Sequence, residues 1–365
     1  MVYQWFVFVL IAGVAIFSTM ANQIYEVNSF GQREKRYSWI SAMLIAIPLI
    51  YLAGTRDNMN GWGDTFAYRS SFKNLPDTIF LLKDYITDDT KDKGFTIISI
   101  IIKSIIGNRD VVFFLIIATV CILCVVSTYR KYSCDFVMSM FLFVASSDYL
   151  QWNYNGIRQF IPVAILFACL NLFLKKKNFL LVAIILVLST IHATALLMIP
   201  IIYIAQGKPW NKKTILFIVL AIIAIVYVES FTDLVTDVME NTQYSGEVNQ
   251  YLNTSGTNYF RVLVYAMPTI LAFGFKKYID YANNPLINLA VNMSLISFGV
   301  YLVSAFTSGL FIGRIPIYFS LYNYILLPWE LENIFSEDSQ KMLKVIIIVF
   351  YLLFYYYQVC VTWGL

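Results

Sequence analysis

The stretch VVFFLIIATVCILCVVST, residues 111–128, decides the fold of this protein. It contains no charged residue, and as a helix rising ~1.5 Å per residue it is long enough to cross a hydrocarbon core of about 30 Å. Similar runs recur along the 365-residue chain, which is 59% hydrophobic and only 13% charged. A soluble domain carries about 25% charged residues. The sequence therefore predicts an all-α polytopic membrane protein, with residues 1–365 forming a single transmembrane domain.

The apolar runs predict about twelve transmembrane helices. The predicted spans are 2–20, 38–53, 111–128, 136–150, 157–174, 179–191, 193–205, 214–228, 259–275, 286–306, 311–328 and 343–360. The apolar run Phe95–Ile106 is too short to cross and is predicted to be re-entrant or interfacial. Residues 179–205 admit one alternative, a single long tilted helix. Two short helices that turn near Ser189–Ala193 preserve the alternation of charge between connections.

Lysine and arginine predict the orientation, because short cytoplasmic connections are enriched in both. Most basic residues of this chain follow the odd-numbered spans: Arg33, Lys35, Arg36, Arg130, Lys131, Lys175, Lys176, Lys177, Lys208, Lys212, Lys213, Lys276, Lys277, Lys341 and Lys344. Both termini are then predicted to face outward. So are residues 54–110, an external loop with interfacial helices, and residues 229–258, a second external loop. The predicted location is a bacterial cytoplasmic membrane.

Three single arginines break this charge pattern. Arg158, Arg261 and Arg314 each lie at the outer end of an apolar helix, and His192, the only histidine, lies at the same predicted depth. Ionisable groups inside a membrane are costly and usually functional. The arginine fork binds phosphate oxygens in a bidentate way, and helix N-termini also favour anions. We therefore expect a multiply charged anion such as a diphosphate; the alternative for each arginine is snorkelling to the headgroups, and for His192 a structural role.

The outer loop GTRDNMNGWGDTFAYRSSF, residues 54–72, is the second candidate region. Asp64 is predicted to cap a helix that starts at Thr65, and Tyr68 and Phe72 then share its face. Arg56 and Asp64 are predicted to line a polar site above the bilayer. The alternative is that Asp64 is only a cap and the aromatic residues only an interfacial belt.

Aromatic and amide side chains are concentrated in the segment DYLQWNYNGIRQ, residues 148–159. Trp152, Tyr154 and Gln159 suit sugar rings, which present C–H faces and hydroxyl edges. An aromatic belt at the membrane interface has the same composition, so both interpretations stay open.

Other patterns are absent from the sequence. It has no P-loop, no HExxH, no Gly-x-Ser-x-Gly and no Asp-x-Asp triplet. These absences argue against ATP-driven transport, zinc protease chemistry and a metal–nucleotide-sugar site. The basic residues form short clusters between apolar runs, which does not suggest nucleic-acid binding. We therefore expect no cofactor and no metal, and a lipid-linked donor substrate.

The chain resembles the EpsG family of bacterial polysaccharide membrane proteins, which is similar in role to the Wzy-type O-antigen and capsule polymerases. The resemblance runs through most of the chain, in order, on short motifs. The matching pieces are Gly54-Thr55-Arg56, Gly63-Asp64-Thr65 with Tyr68 and Phe72, Asn155-Gly156-Ile157-Arg158-Gln159, Ser189-Thr190-Ile191-His192 with Ala195-Leu196, and Arg261 and Arg314 with the aromatic residues Tyr259 and Tyr318.

This resemblance implies a reaction. Such proteins join oligosaccharide repeat units carried on undecaprenyl diphosphate at the outer face of the cytoplasmic membrane, and a chain-length regulator is a candidate partner. The fold would be similar to the metal-independent GT-C-type membrane glycosyltransferases. Arg261 and Arg314 are expected to clamp the donor diphosphate with Arg158 beside them or on the acceptor, and His192, or else Asp64, to act as base. Arg56, Tyr68, Trp152, Tyr154, Gln159, Tyr259 and Tyr318 are the expected substrate-binding residues.

Other functions are compatible with the same residues. An O-antigen-ligase-like enzyme shares the donor chemistry and transfers the finished glycan to another acceptor. A membrane O-acyltransferase would need a route for cytosolic acyl groups to His192. A flippase or transporter of lipid-linked sugars would need polar residues in both halves of the bilayer, whereas the embedded arginines are predicted in the outer half alone.

Overall fold

The computed structural model describes residues 5, 7–13, 23–27, 33–57, 63–87, 90–240 and 255–365. The fold is 80% helical, which confirms the predicted all-α class. Most of the first predicted span, 2–20, and part of the predicted external loop 229–258 lie outside the described residues. The prediction of a single transmembrane domain stays a prediction.

In the first half of the chain, residues 5 and 7–13 are helical, and a short hairpin and further helices follow. Its elements are β1 (Gln23–Val27), β2 (Arg33–Tyr37), α1 (Trp39–Gly54), α2 (Thr65–Asn74), a 3-10 turn (Ile79–Leu81), α3 (Leu82–Tyr85), α4 (Lys93–Ile106), α5 (Asp110–Tyr132), α6 (Phe136–Ala145), α7 (Asp148–Asn155), α8 (Ile157–Ala168), α9 (Leu170–Leu174) and α10 (Asn178–Ser189).

The second half is helical throughout the part that the structure describes. Its elements are a 3-10 helix (Ala193–Leu197), α11 (Met198–Ala205), α12 (Lys212–Val226), α13 (Val228–Glu240), α14 (Tyr259–Gly274), α15 (Lys276–Ala282), α16 (Pro285–Phe306), a 3-10 turn (Ile312–Arg314), α17 (Ile317–Ser320), α18 (Asn323–Ile334), α19 (Glu337–Tyr356) and a terminal π-helix (Tyr357–Thr362).

Several helices are long and apolar enough to cross a membrane. Among the described residues, three satisfy this test by length and composition: Asp110–Tyr132, Pro285–Phe306 and Glu337–Thr362. Two bent helix pairs raise the number to five if each pair is one span, and shorter apolar helices accompany them. The protein is therefore membrane-embedded, and the twelve crossings stay a prediction.

Some predicted spans are interrupted helices. The span 136–150 is divided between α6 and α7 at Ser147, which takes a left-handed backbone with φ +68°. The Ser146 hydroxyl donates to the Phe143 carbonyl at 3.2 Å, which satisfies one polar group at a break where water is scarce. The predicted turn at Ser189–Ala193 is also present as a break, since α10 ends at Ser189 and the next helix begins at Ala193.

The described chain forms two compact units, Met1–Leu196 with Ser336–Leu365, and Leu197–Phe335. In the first unit, α5 packs against α1 and α8. At one end of this unit, Arg36 Nη1 donates to the Arg130 carbonyl at 3.3 Å, and Lys344 forms a 3.0 Å ion pair with Asp135. The connection that holds Arg130 and Asp135 therefore contacts two other segments that the sequence predicts to be cytoplasmic.

The β-hairpin was not expected from the sequence. Its two five-residue strands pair antiparallel, from Gln23 opposite Tyr37 to Val27 opposite Arg33. Such short polar strands carry too few residues for a period-two hydrophobic pattern to stand out.

The second unit is built around α16, which packs against α12, α14 and α18. The hydroxyls of Thr269 and Ser294 lie 2.7 Å apart and join α14 to α16. The Asn292 amide donates to the carbonyl of Ala205 at 2.8 Å, which joins α16 to the end of α11. Buried hydroxyl and amide side chains thus bond the helices to one another.

Candidate active site

Arg56 is buried immediately after α1. It is only 4% exposed, its Nη1 donates to the Asn153 carbonyl, and its guanidinium lies 3.9 Å from the centroid of the Phe114 ring. Burial lowers the pKa of this guanidinium from 12.5 to about 10, so it stays charged at neutral pH. Arg56 thus fixes the start of the 54–72 loop against α5 and α7.

Two tyrosines of α7 hold the end of α1. Tyr149 Oη donates to the Leu49 carbonyl at 2.7 Å and Tyr154 Oη to the Leu52 carbonyl at 2.8 Å. The last four carbonyls of a helix lack intrahelical partners, and Leu52 is one of them. Together with Arg56, these bonds place the loop beside α7.

Asp64 occupies the N-cap position of α2, as the sequence predicts, but its side chain does not cap the helix. With the Asn155 amide oriented so that its nitrogen faces Asp64, Nδ2 lies 3.1 Å from both carboxylate oxygens. Gly63 has φ +81°, and a Cβ there would lie 3.2 Å from the Tyr154 carbonyl oxygen. A glycine is therefore required for the loop to bring Asp64 against Asn155.

Arg158, in the first turn of α8, forms an ion pair. Its Nη1 lies 3.0 Å from Asp92 Oδ2; the Asp92 side chain is 3% exposed and that of Arg158 is 41% exposed. The guanidinium also lies 5.7 Å from the centroid of Tyr68, on the buried face of α2. A buried carboxylate thus fixes the position of a half-exposed cation.

The turn that carries His192 docks on the start of α4. Gly94 N donates to the Thr190 carbonyl at 2.8 Å, and a Cβ on Gly94 would lie 2.2 Å from Thr190 Oγ1. His192 is half-buried, and its Nδ1 lies 3.3 Å from the Thr194 hydroxyl. Since Asp92 and Gly94 are two residues apart, one segment positions both Arg158 and the His192 turn.

The remaining predicted residues of this unit are buried. Trp152 is 1% exposed, Gln159 4% and Tyr154 5%. Their predicted contacts with sugars stay a prediction. We define the 56–158 cluster as Arg56, Asp64, Asp92, Asn155 and Arg158.

In the second unit, the segments that carry Arg261 and Arg314 are bonded together. Thr257 N donates to the Ser304 carbonyl at 3.0 Å, and the Ser304 hydroxyl donates to Thr257 Oγ1 at 2.7 Å. Gly309 N donates to the Ser255 carbonyl at 3.1 Å. The residues that precede α14 are thus fixed to the end of α16 and the turn that leads to Arg314.

The predicted residues of this unit differ in exposure. Arg261 lies 5.6 Å and 5.9 Å from the ring centroids of Tyr265 and Tyr301, and both Arg261 and Arg314 are half-buried. Tyr259 is 66% exposed, whereas Tyr318 is 4% exposed. Among the described residues, no group of three or more His, Cys, Asp or Glu side chains is arranged to hold a metal ion.

The sequence does not single out two residues of the first unit, or the contact that a third one makes. Asp92 and Gly94 lie in the polar run TDDTKDKG, where no spacing distinguishes one aspartate from its neighbours. The available signal was Gly94 itself, a glycine at the start of an apolar helix, which often marks a close backbone approach. Asn155 was noted as part of a motif, but its contact with Asp64 was not foreseen.

Apolar helices and arginines held at helix ends define a membrane-embedded protein with a candidate anion site. The chain belongs to the EpsG family, whose model matches residues 39–362, and members of this family are Wzy-like polysaccharide polymerases. No curated protein and no solved structure matches the chain. Family membership therefore assigns it to polysaccharide biosynthesis.

Proposed function

We propose that this chain is a membrane glycosyltransferase that polymerises oligosaccharide repeat units carried on undecaprenyl diphosphate. The growing glycan leaves its lipid diphosphate and is transferred to the non-reducing end of the next lipid-linked unit, at the outer face of the bacterial cytoplasmic membrane. A chain-length regulator is a further candidate partner. The observation that carries the proposal is the half-exposed Arg158, fixed by a buried carboxylate in a chain of the EpsG family.

Contacts between connections of the first unit support the predicted orientation, and the twelve crossings are part of this proposal. In the first unit, segments rich in Lys and Arg contact one another through Arg36, Arg130 and Lys344. The predicted outer loop 54–110 instead contacts the segments that carry Arg158 and His192. This division suits a multi-helix enzyme similar to the metal-independent GT-C-type glycosyltransferases, with its active site outside.

The arginines suit the bond that breaks. When the acceptor hydroxyl attacks the anomeric carbon of the donor sugar, the lipid diphosphate leaves with the bonding electron pair, and its negative charge grows. Preorganised cations stabilise such charge without a metal. We assign Arg261 and Arg314 to the donor diphosphate and Arg158 to the acceptor diphosphate, since both diphosphates must be held for transfer.

His192 is the first candidate to accept the proton of the attacking hydroxyl. An imidazole titrates near neutral pH, and the Thr194 hydroxyl beside Nδ1 orients the ring. Asp64 is the second candidate, because its carboxylate is half-buried and held by Asn155. The exposed ring of Tyr259 is the first candidate to stack on a sugar.

The test is polymerisation in vitro. Purified protein in detergent is mixed with its undecaprenyl-diphosphate repeat unit and EDTA, without nucleotide, and the products are separated on a gel. We expect a ladder that disappears with Arg314→Ala and with Arg158→Ala but persists with Arg109→Ala, an exposed arginine before α5.

Other outcomes would redirect the assignment. Transfer of glycan to a second acceptor without a ladder would indicate the ligase-like alternative. No product from a folded protein, together with movement of the lipid-linked unit across vesicle membranes, would indicate a flippase. A ladder unchanged in both variants would contradict the arginine roles.

A further inference from the structure

The second unit contains a buried carboxyl group that the proposed reaction does not use. Glu330 on α18 is 0% exposed, and neither carboxylate oxygen has a hydrogen-bond partner among the described residues. Burying an ionised carboxylate without a partner is strongly unfavourable. Glu330 therefore needs either a proton or a bound cation.

Contacts along the helices locate Glu330 within the unit. Near the start of α18, Asn323 donates to the Tyr265 carbonyl at 3.4 Å, and beyond its end the ring of Phe335 lies 5.2 Å from that of Phe275. The helices α14 and α18 thus run parallel, and Glu330 is level with Leu271 of α14.

The same reasoning relates Glu330 to α16. Thr269 and Ser294 bond at 2.7 Å, and the rings of Tyr265 and Tyr301 lie 4.5 Å apart, so α16 runs antiparallel to α14. Leu271 lies two residues after Thr269 on α14, and Asn292 lies two residues before Ser294 on α16. Glu330 and Asn292 are therefore at about the same level of the three packed helices.

At the level of Glu330 and Asn292, hydrogen-bond acceptors without a partner outnumber donors. The Asn292 amide nitrogen already donates to the carbonyls of Ala205 and Gly207, while Oδ1 of Asn292 has no partner among the described residues. The hydroxyls of Thr269 and Ser294 bond each other. Three oxygens, two of Glu330 and one of Asn292, therefore lack a donor among the described residues. One N–H group, that of Trp210, whose ring lies 5.3 Å from that of Phe273, also has no partner there. Acceptors remain in excess, and one added proton supplies a second donor, an O–H group.

The charged groups of the neighbouring helices do not supply the missing charge at this level. Arg261 lies ten residues before Leu271 on α14, about 15 Å along the helix. The Lys213 ammonium on α12 donates to the carbonyls of Tyr203 and Gln206. Lys276 and Lys277, at the start of α15, are exposed. The other ionisable residues of α12, α14, α15, α16, α17 and α18 are Lys212, Tyr259, Tyr265, Tyr278, Asp280, Tyr281, Tyr301, Tyr318, Tyr324 and Glu332.

We propose that Glu330 is a proton-binding site, a neutral carboxylic acid at neutral pH whose O–H donates to Asn292 Oδ1. The ligand is the proton itself, and the site lies in the half of the second unit near the Ala205–Gly207 turn. It is separate from Arg261, which lies about 15 Å away along α14.

The test is infrared spectroscopy of the full-length protein at neutral pH, in a detergent that contains no ester or carboxyl group. A protonated carboxylic acid has a C=O stretching band that carboxylates lack. We expect this band in the wild type and its loss in Glu330→Gln, an isosteric neutral variant that should fold. Glu332→Gln, two residues away and half-exposed, is the matched control and should retain it. Glu330→Asp should keep the band and shift its frequency.

Spectra recorded in different salts, and of a variant at Asn292, complete the test. The band should be equal in sodium, potassium and choline chloride, and Asn292→Leu should move it to higher frequency because a hydrogen bond is lost. A wild-type spectrum identical to that of Glu330→Gln would show an ionised Glu330 and overturn the proposal. Loss of the band in sodium or potassium, but not in choline, would overturn it in favour of a metal cation.

Discussion

Arg56 and Arg158 belong to one cluster but have opposite surroundings. Arg56 is 4% exposed, between a backbone carbonyl and the faces of Phe114 and Tyr154. The side chain of Arg158 is 41% exposed and is paired with Asp92. One cation is enclosed by the protein, and the other reaches the surface of the cluster.

This difference separates positioning from binding. A guanidinium whose donors and π contacts lie inside the protein holds a loop in place, because releasing it would leave the Asn153 carbonyl and the rings unpaired. A half-exposed guanidinium presents part of its fork at the surface of the cluster, where a phosphate can approach it. The substrate-binding role that the sequence predicts for Arg56 stays a prediction, and its burial against the Asn153 carbonyl adds a supporting role in the loop.

The largest expected effect is a loss of protein stability when Arg56 is replaced. Arg56→Ala removes a buried hydrogen bond and a cation–π contact, so we expect a loss of about 3 kcal/mol in the free energy of unfolding. Thermal unfolding in detergent measures the loss. Arg109→Ala is the control and should unfold like the wild type. A stable and fully active Arg56→Ala protein would remove the supporting role.

Arg158→Ala should affect activity more than stability. We expect kcat for polymerisation to fall about a hundredfold, the scale of losing one preorganised charge donor. The unfolding temperature should also fall, because the buried Asp92 loses a cation, but by less than in Arg56→Ala, since the Arg158 side chain is half-exposed and water can reach it. Arg158→Lys should recover only part of the activity, since lysine lacks the planar fork. Equal losses of stability in Arg56→Ala and Arg158→Ala would abolish the distinction between the two arginines.

Gly94→Ala tests whether the segment that holds Asp92 and Gly94 also positions the His192 turn. The new Cβ would lie 2.2 Å from Thr190 Oγ1 and within 2.8 Å of the Thr190 backbone, so the turn must shift. Overpacking of this kind costs about 1–3 kcal/mol, and a misplaced base should lower kcat by about tenfold. Gly274→Ala is the matched control, because its Cβ would meet no atom within 4 Å. Wild-type kcat in Gly94→Ala would show that the turn does not position the base.

Helix content was predictable from the sequence because apolar runs such as 111–128 leave few alternatives. The break at Thr190–His192 was also predictable, since charge alternation required a turn there. The pairing of Arg158 with Asp92 was not, because it joins residues 66 positions apart and periodicity reports only local structure. The position of Asp64 before α2 was predictable from capping preferences. Its contact with the Asn155 amide was not, because that contact depends on how α2 and α7 pack.

Asp92→Asn should have the smallest effect and is the most diagnostic variant. Asn is isosteric and tolerates the left-handed backbone of residue 92, which has φ +49°, so the fold should persist. Without its carboxylate partner, Arg158 presents more positive charge but is less firmly oriented. We therefore expect KM for the lipid diphosphate to fall and kcat to fall by about three- to tenfold, a split that steady-state kinetics resolves.

The direction of this split separates positioning from simple structural support. A variant that is merely less stable would lose active protein, which lowers kcat and leaves KM unchanged. Adding Arg158→Ala to Asp92→Asn should cost no more than Arg158→Ala alone, because Asp92 acts through Arg158 and the two effects are not additive. If the losses in kcat multiply instead, Asp92 contributes independently, and the carboxylate rather than the arginine becomes the group to place against the substrate.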